Sequence, residues 1–231
     1  MNASEWFIMR VVGHRGCPDL YPENTALAFR EASARCDWIE LDVRRCASGE
    51  AVVLHDATLD RTLGVDRALA DTSLAELREY LVGDSDEGVP TLREALSAVP
   101  SGTAVNVELK AEGIAETVAD AADRVGNEVV VSSFSADALR ECRTRSDLPV
   151  ATVTMDPDAW EATLELAAEL DADYVHPHYE LLFESPDRVV RAHDRGFEVN
   201  AWTLRSAAPF DRLAELGVDG VILNDPAYAG R

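Results

Sequence analysis

The sequence predicts a (β/α)8 barrel with a site at one end, and three observations lead to that class. Eight short apolar runs of strand character alternate with segments of helical periodicity along the whole chain. Each run is followed by a helix or a helical excursion, which indicates a closed barrel rather than an open sheet. Several of the runs are apolar on one face and carry charged residues at the end of the other. The length, 231 residues, suits one such domain, since roughly 200–250 residues is ordinary for an α/β barrel.

Taken in order, the predicted strands begin with "RVVGH" (10–14), "WIELDV" (38–43), "AVNVEL" (104–109) and "EVVVSSF" (128–134). They continue with "PVATVT" (149–154), "ADYVHP" (172–177), "EVNAWT" (198–203) and "GVILN" (220–224). Between them, "NTALAFREASARC", "AETVADAADRVG", "SADALRECRT", "DAWEATLELAAEL", "SPDRVVRAHDRG" and "SAAPFDRLAELG" space apolar residues by three and four. Several of these open on Ser, Asp or Asn and some close on Gly, the caps that start and stop helices. The second interval departs from the pattern. "RRCASGEAVVLHD" follows its strand directly, and "SG" within it reads as a tight hairpin turn. A two- or four-residue loop centred on Ser48-Gly49 sets Asp42 opposite His55. The residues from about 56 to 100, with the helical patterns "SLAELREYLV" and "TLREALSAV", form a small helical insertion beside the barrel. No repeat or linker divides the chain, so 1–231 is read as a single domain.

Composition narrows the function. The net charge of −22 comes from 43 acidic residues against 21 basic ones, and Lys110 is the sole lysine. Acidic clusters such as "DSDEG" (84–88) fall between periodic segments, as solvated surface does. The basic footprint that phosphate backbones require is missing, so nucleic acid is not an expected partner. Such a surface suits concentrated salt, where screening relieves self-repulsion, and predicts a halophilic protein. No apolar run approaches the roughly 18 residues of a membrane span. The opening "MNASEWFIMRVVGHRG" is acidic where a secretory signal is positive, so a soluble cytoplasmic enzyme is expected. Cys17, Cys36, Cys46 and Cys142 have no zinc spacing and are expected as buried thiols, with Cys17 notable for its nearness to His14.

The site emerges from strand alternation. Ile39, Leu41 and Val43 share one face, with Trp38, Glu40 and Asp42 on the other. Val105, Val107 and Leu109 share a face likewise, opposite Asn106, Glu108 and Lys110. The C-terminal strand ends of such barrels build the site. Three carboxylates gathered there, Glu40, Asp42 and Glu108, repel one another unless a cation lies between them. An all-oxygen set favours a hard divalent ion, Mg²⁺, Ca²⁺ or Mn²⁺. His14 and His55 at the same mouth can act as an acid and a base near neutral pH. Arg15 and Lys110 supply the positive charge a phosphoryl group requires.

These residues also carry a resemblance. "HRG", "PENT…AF", "IELDV", "VVLHD" with "LDRT", "VELK" and "AWT" resemble, in order and spacing, the glycerophosphodiester phosphodiesterase family. The resemblance runs from about residue 13 to 226. It implies a metal-dependent barrel hydrolysing glycerophosphodiesters to glycerol phosphate and an alcohol. It also implies Glu40, Asp42 and Glu108 as metal ligands, His14 and His55 as the acid–base pair, Arg15 and Lys110 on the phosphate, and Trp202 walling the substrate pocket. The chain departs from the family at Cys46-Ala47-Ser48-Gly49, where Thr-x-Asp-Gly is common, and in a shorter segment after "LDRT". Two rivals remain: a phospholipase-type phosphodiesterase acting on intact lipids, and a non-catalytic barrel that binds a phosphodiester.

Other residues are weaker candidates. Glu23 and Asn24 open a helix at the mouth, as caps or substrate contacts. His176 and His178 end the sixth barrel strand and Phe134 follows the fourth, all able to line the pocket. His193 is expected at the surface, and Asn224-Asp225-Pro226 as a turn.

Overall fold

The computed structural model describes residues 9–231, so the stretch 1–8, on which part of the N-terminal reading rests, lies outside it. The chain runs β1 (Arg10–Gly13), α1 (Ala26–Ala32), β2 (Trp38–Arg45), β3 (Ala51–Val53), α2 (Asp60–Leu63), α3 (Leu74–Leu77) and α4 (Leu92–Ala98). It continues through β4 (Ala104–Leu109), α5 (Ala115–Ala122), β5 (Val129–Ser133), α6 (Ala136–Arg145), β6 (Val150–Thr154) and α7 (Trp160–Glu169). The last elements are β7 (Tyr174–Pro177), α8 (Tyr179–Glu184), α9 (Asp187–His193), β8 (Glu198–Leu204), α10 (Phe210–Leu216) and β9 (Gly220–Leu223).

Closure comes from β1, which pairs with β2 through Val12–Trp38 and with β9 through Gly13–Leu223. All strands of the ring are parallel, and the result is the predicted (β/α)8 barrel. Alternation assigns its two faces as predicted. Ile39, Leu41, Val43, Val105, Val107 and Leu109 are buried in the shell between sheet and helices. The opposite face fills the barrel. Its lower layer is apolar, with Val12, Trp38, Ala104, Val130, Tyr174 and Ile222 in one cluster. Arg10 closes that end, its guanidinium 4.2 Å from the Trp38 ring centroid and bonded to Asn200 Oδ1 at 3.0 Å. Among the described residues packing seals this floor, and the C-terminal end is the one open to chemistry.

The hairpin register differs by one from the expected register. Val43 pairs with Val53, and Leu54 N–H donates to Asp42 O at 3.0 Å, so Asp42 faces Leu54 and not His55. The cause is the loop length. Cys46 and Glu50 close around three residues, Ala47-Ser48-Gly49, with Gly49 at φ +99°. A three-residue loop with glycine in a positive-φ position shifts the ladder by one relative to an even loop. After β3 the chain makes short helices around a separate apolar cluster that includes Val52, Leu54, Leu59, Leu69 and Leu77. α4 packs against α1 and α5. Among the described residues no helix is long and apolar enough to cross a membrane.

Candidate active site

The "HRG" sequence makes a sharp turn at the top of β1. Arg15 takes φ 48° and Gly16 φ 76°, both in the left-handed region. Gly16 has no substitute there, because a Cβ would lie 2.6 Å from that of Ala28 on α1. The turn aims the Arg15 backbone N–H at Glu40 Oε2 (2.8 Å) and brings its Nε to 3.0 Å from Asp42 Oδ2. That Nε lies at ion-pair distance without a hydrogen-bond alignment.

Three carboxylates meet at the mouth. Glu40 and Asp42 on β2 and Glu108 on β4 each place an oxygen within 4.8 Å of the others. The register Asp42–Glu108 across adjacent parallel strands brings them side by side. Burial, then the charges of Asp42 and Glu108, push the Glu40 carboxyl well above its usual range. Glu108 is pushed up to about 7, by burial first and Asp42 second, against the pull of Lys110. Burial opposes charge on Asp42 too, but Arg15 and Lys110 outweigh it and hold that carboxyl below its ordinary value. A divalent cation fits here on two observations. Glu40 Oε1 and Asp42 Oδ1 are buried acceptors with no hydrogen-bond partner among the described residues. The donors are all carboxylate oxygens, which suit a hard cation.

The two histidines present themselves alike. His14 Nδ1 bonds Asn224 Oδ1 at 2.9 Å, and His55 Nδ1 bonds Asp56 Oδ1 at 2.7 Å. In each case the acceptor places the proton on Nδ1 and leaves Nε2 as the reactive nitrogen. Burial first and Arg15 second lower His14 to about 4. Burial likewise lowers His55, in spite of the Asp42 charge.

Lys110 Nζ lies 2.5 Å from Glu108 Oε1 and 3.3 Å from Asp42 Oδ1, so the chain's one lysine is inside this cluster. Burial disfavours its charge, yet Asp42 and Glu108 prevail and raise its pKa. Beside it opens a cleft of about 380 Å³ lined by Glu108, Lys110, Glu112, Phe134 and Ser135. Trp202 lines a second, small cavity of about 20 Å³ with His14, Glu40 and Glu108. Phe134 stands at 87° to the Trp202 ring, 5.5 Å between centroids, and His178 at 83° and 5.0 Å. A larger cleft of about 560 Å³ runs outside the barrel along Thr91, Glu94 and Asp120, and shares no residue with the carboxylate cluster.

The structure therefore brings His14, His55, Arg15, Lys110, Glu40, Asp42, Glu108 and Trp202 together. It relocates the weaker candidates. Thr25 caps α1, whereas Asn24 hydrogen-bonds Asp42 and Glu23 pairs with Arg15 and Arg61. His176 is a buried barrel residue that accepts from Asn200 Nδ2, and burial lowers it to about 3. His193 pairs with Asp219, which precedes β9, at the far end of the barrel. Cys17 lies against Cys36, Sγ to Sγ 3.7 Å, and both are buried thiols. Asn224, expected only as a turn, orients His14; Asp56 orients His55. The Asp56 role has a local signal in the adjacent "HD" pair, whereas Asn224 lies 210 residues from His14 and has none.

Carboxylate oxygens converging beside two imidazoles, Arg15 and Lys110 are the donor set of a metal-assisted hydrolase. Residues 14–228 match the Glycerophosphoryl diester phosphodiesterase family, and the chain belongs to that family. The uncharacterized protein YqiK of Bacillus subtilis is 32% identical over 240 residues, covering 95% of this chain and 96% of its own. A glycerophosphodiester phosphodiesterase of Caldanaerobacter subterraneus is 30% identical, covering 94% of each. Among solved structures, an Oleispira antarctica phosphodiesterase in complex with the product sn-glycerol-3-phosphate superposes with TM-score 0.88 at 25% identity. That match covers 97% of this chain and 98% of the other. The Thermotoga maritima glycerophosphodiester phosphodiesterase gives TM-score 0.82 at 27% identity, covering 94% and 95%.

Proposed function

We propose that this chain, acting as one domain, hydrolyses soluble glycerophosphodiesters to glycerol phosphate and an alcohol at the carboxylate mouth. The observation that carries the reading is the pair of buried oxygens on Glu40 and Asp42 that accept no hydrogen bond among the described residues, beside two histidines whose Nδ1 positions are already taken. Glu40, Asp42 and Glu108 hold the divalent cation. When bound, it supplies Lewis-acid polarisation of a phosphoryl oxygen. Arg15 and Lys110 set positive charge against the phosphate. One histidine Nε2 takes the proton of the attacking hydroxyl, from water or the glycerol's own free hydroxyl. The other, when it also carries a proton on Nε2 as the imidazolium, gives that proton to the departing alkoxide, so one P–O bond forms as another breaks. Trp202 and Phe134 wall the organic part of the substrate.

The acidic surface disfavours an intact anionic bilayer as substrate and favours a small solute, consistent with a cytoplasmic role in turning over lipid-derived diesters. It also supports the halophilic reading. The test is product analysis with glycerophosphodiesters of different alcohols, intact phospholipids and phosphomonoesters. Glycerol phosphate from the first group alone supports the reading; hydrolysis of intact lipids alone favours the phospholipase rival.

A further inference from the structure

One guanidinium joins the partners of two site residues. Arg61, on α2 in the segment after the hairpin, donates from Nη1 and Nη2 to Glu23 Oε2 and Oε1, each at 2.7 Å. Its Nε donates to Asp56 Oδ2 at 2.5 Å. The other Asp56 oxygen takes the Nδ1 proton of His55 at 2.7 Å. Glu23 Oε1 also accepts from Arg15 Nη1 at 3.2 Å, and Arg15 Nε lies 3.0 Å from Asp42 Oδ2. From the neutral His55 ring, Asp56, Arg61, Glu23, Arg15 and Asp42 thus form one chain of alternating charge. It leads from one histidine back to a carboxylate of the mouth.

Arg61 is about half exposed, and an isolated ion pair at that exposure holds little in place. Here three donors of one rigid fork are committed, two to one carboxylate and one to another. Glu23 is only 15% exposed, so one end of the fork rests on a partly dry support. A lysine in its place has no planar fork and cannot span both carboxylates.

We propose that Arg61 is a positioning residue for the reaction: through Asp56 it fixes the His55 tautomer with Nε2 bare. Arg61 touches no reacting atom. The consequence for catalysis rests on the role given to His55 above, but the effect on the His55 ring does not.

The test uses the full chain labelled with ¹⁵N-histidine, with the His55 signals assigned from His55→Gln. In the wild type, His55 carries its proton on Nδ1. Arg61→Ala releases the ring into exchange between tautomers and lowers kcat roughly tenfold or more while KM changes less than about threefold. Arg61→Ala combined with Asp56→Asn is no slower than Asp56→Asn alone, because both act through the same link. If Arg61→Ala does not fold, Arg61→Lys carries the same expectation. An unchanged His55 tautomer in a folded Arg61 variant overturns the proposal, whatever the melting temperature does. A changed tautomer with unchanged turnover upholds the positioning and overturns the catalytic role of His55.

Discussion

Asn24 grips Asp42 from both ends: its Nδ2 donates to Asp42 Oδ2 at 2.9 Å, and its Oδ1 accepts from the Asp42 backbone N–H at 3.3 Å. Asn24 does so at φ 58°, a conformation asparagine tolerates better than most residues. Asn24→Ala removes both bonds and leaves a buried acceptor and donor unpaired, costing about 1–3 kcal/mol of stability. Metal affinity should fall about 10- to 100-fold, as for other lost outer partners of a ligand. Titration calorimetry with the divalent cation checks this, and an unchanged isotherm removes Asn24 from the metal's support.

Which parts of this site the sequence disclosed follows from the range of the interactions. Alternation is local, so "WIELDV" and "VELK" displayed their inward carboxylates and Lys110 directly. The pairing of Asn24 with Asp42 spans 18 residues, and that of His14 with Asn224 spans 210. No local pattern encodes such contacts. The expected hairpin register is one residue out because Ser48-Gly49 marks a turn without stating whether the loop is odd or even. Arg61 falls within "LDRT", which by itself assigns it no role. Its partners Glu23 and Asp56 belong to separate segments, and only the fold brings them to one fork.

The carboxylates give a pH signature whose sign reverses with metal. Glu108 sits at about 7 in the fold, raised by burial and by Asp42, against 4.5 for the unperturbed group. The metal-free folded chain therefore holds an extra proton between those values. Its stability from this group is present below about 4.5 and is lost as pH rises through about 7. A bound cation requires the deprotonated ligands, so affinity rises over the same interval. Melting curves with and without Mg²⁺ from pH 5 to 8 should diverge as pH rises. Parallel curves contradict the assignment.

Lys110 can be modified selectively, since the α-amino group is the chain's one other primary amine. Acetylation removes the charge that faces Glu108 and Asp42. Most activity should disappear, glycerol phosphate should protect, and Lys110→Arg should be impaired yet resistant to the reagent. Normal turnover by fully acetylated protein, verified by mass, would make Lys110 dispensable.

Salt should stabilise this chain. With a net charge of −22, self-repulsion is strong at low ionic strength and is screened within about 3 Å at 1 M. The melting temperature and kcat/KM for an anionic diester should both rise from dilute buffer into molar KCl. A steady fall of both contradicts the halophilic reading.

The proposed reaction depends on a divalent cation held by Glu40, Asp42 and Glu108. Release of glycerol phosphate, followed in excess EDTA and again after Mg²⁺, Mn²⁺ or Ca²⁺ is restored, tests it most directly. Wild-type turnover should vanish under chelation and return with at least one of the ions, while folded Asp42→Asn stays slow throughout. Undiminished turnover in excess EDTA would leave those three carboxylates without a metal role.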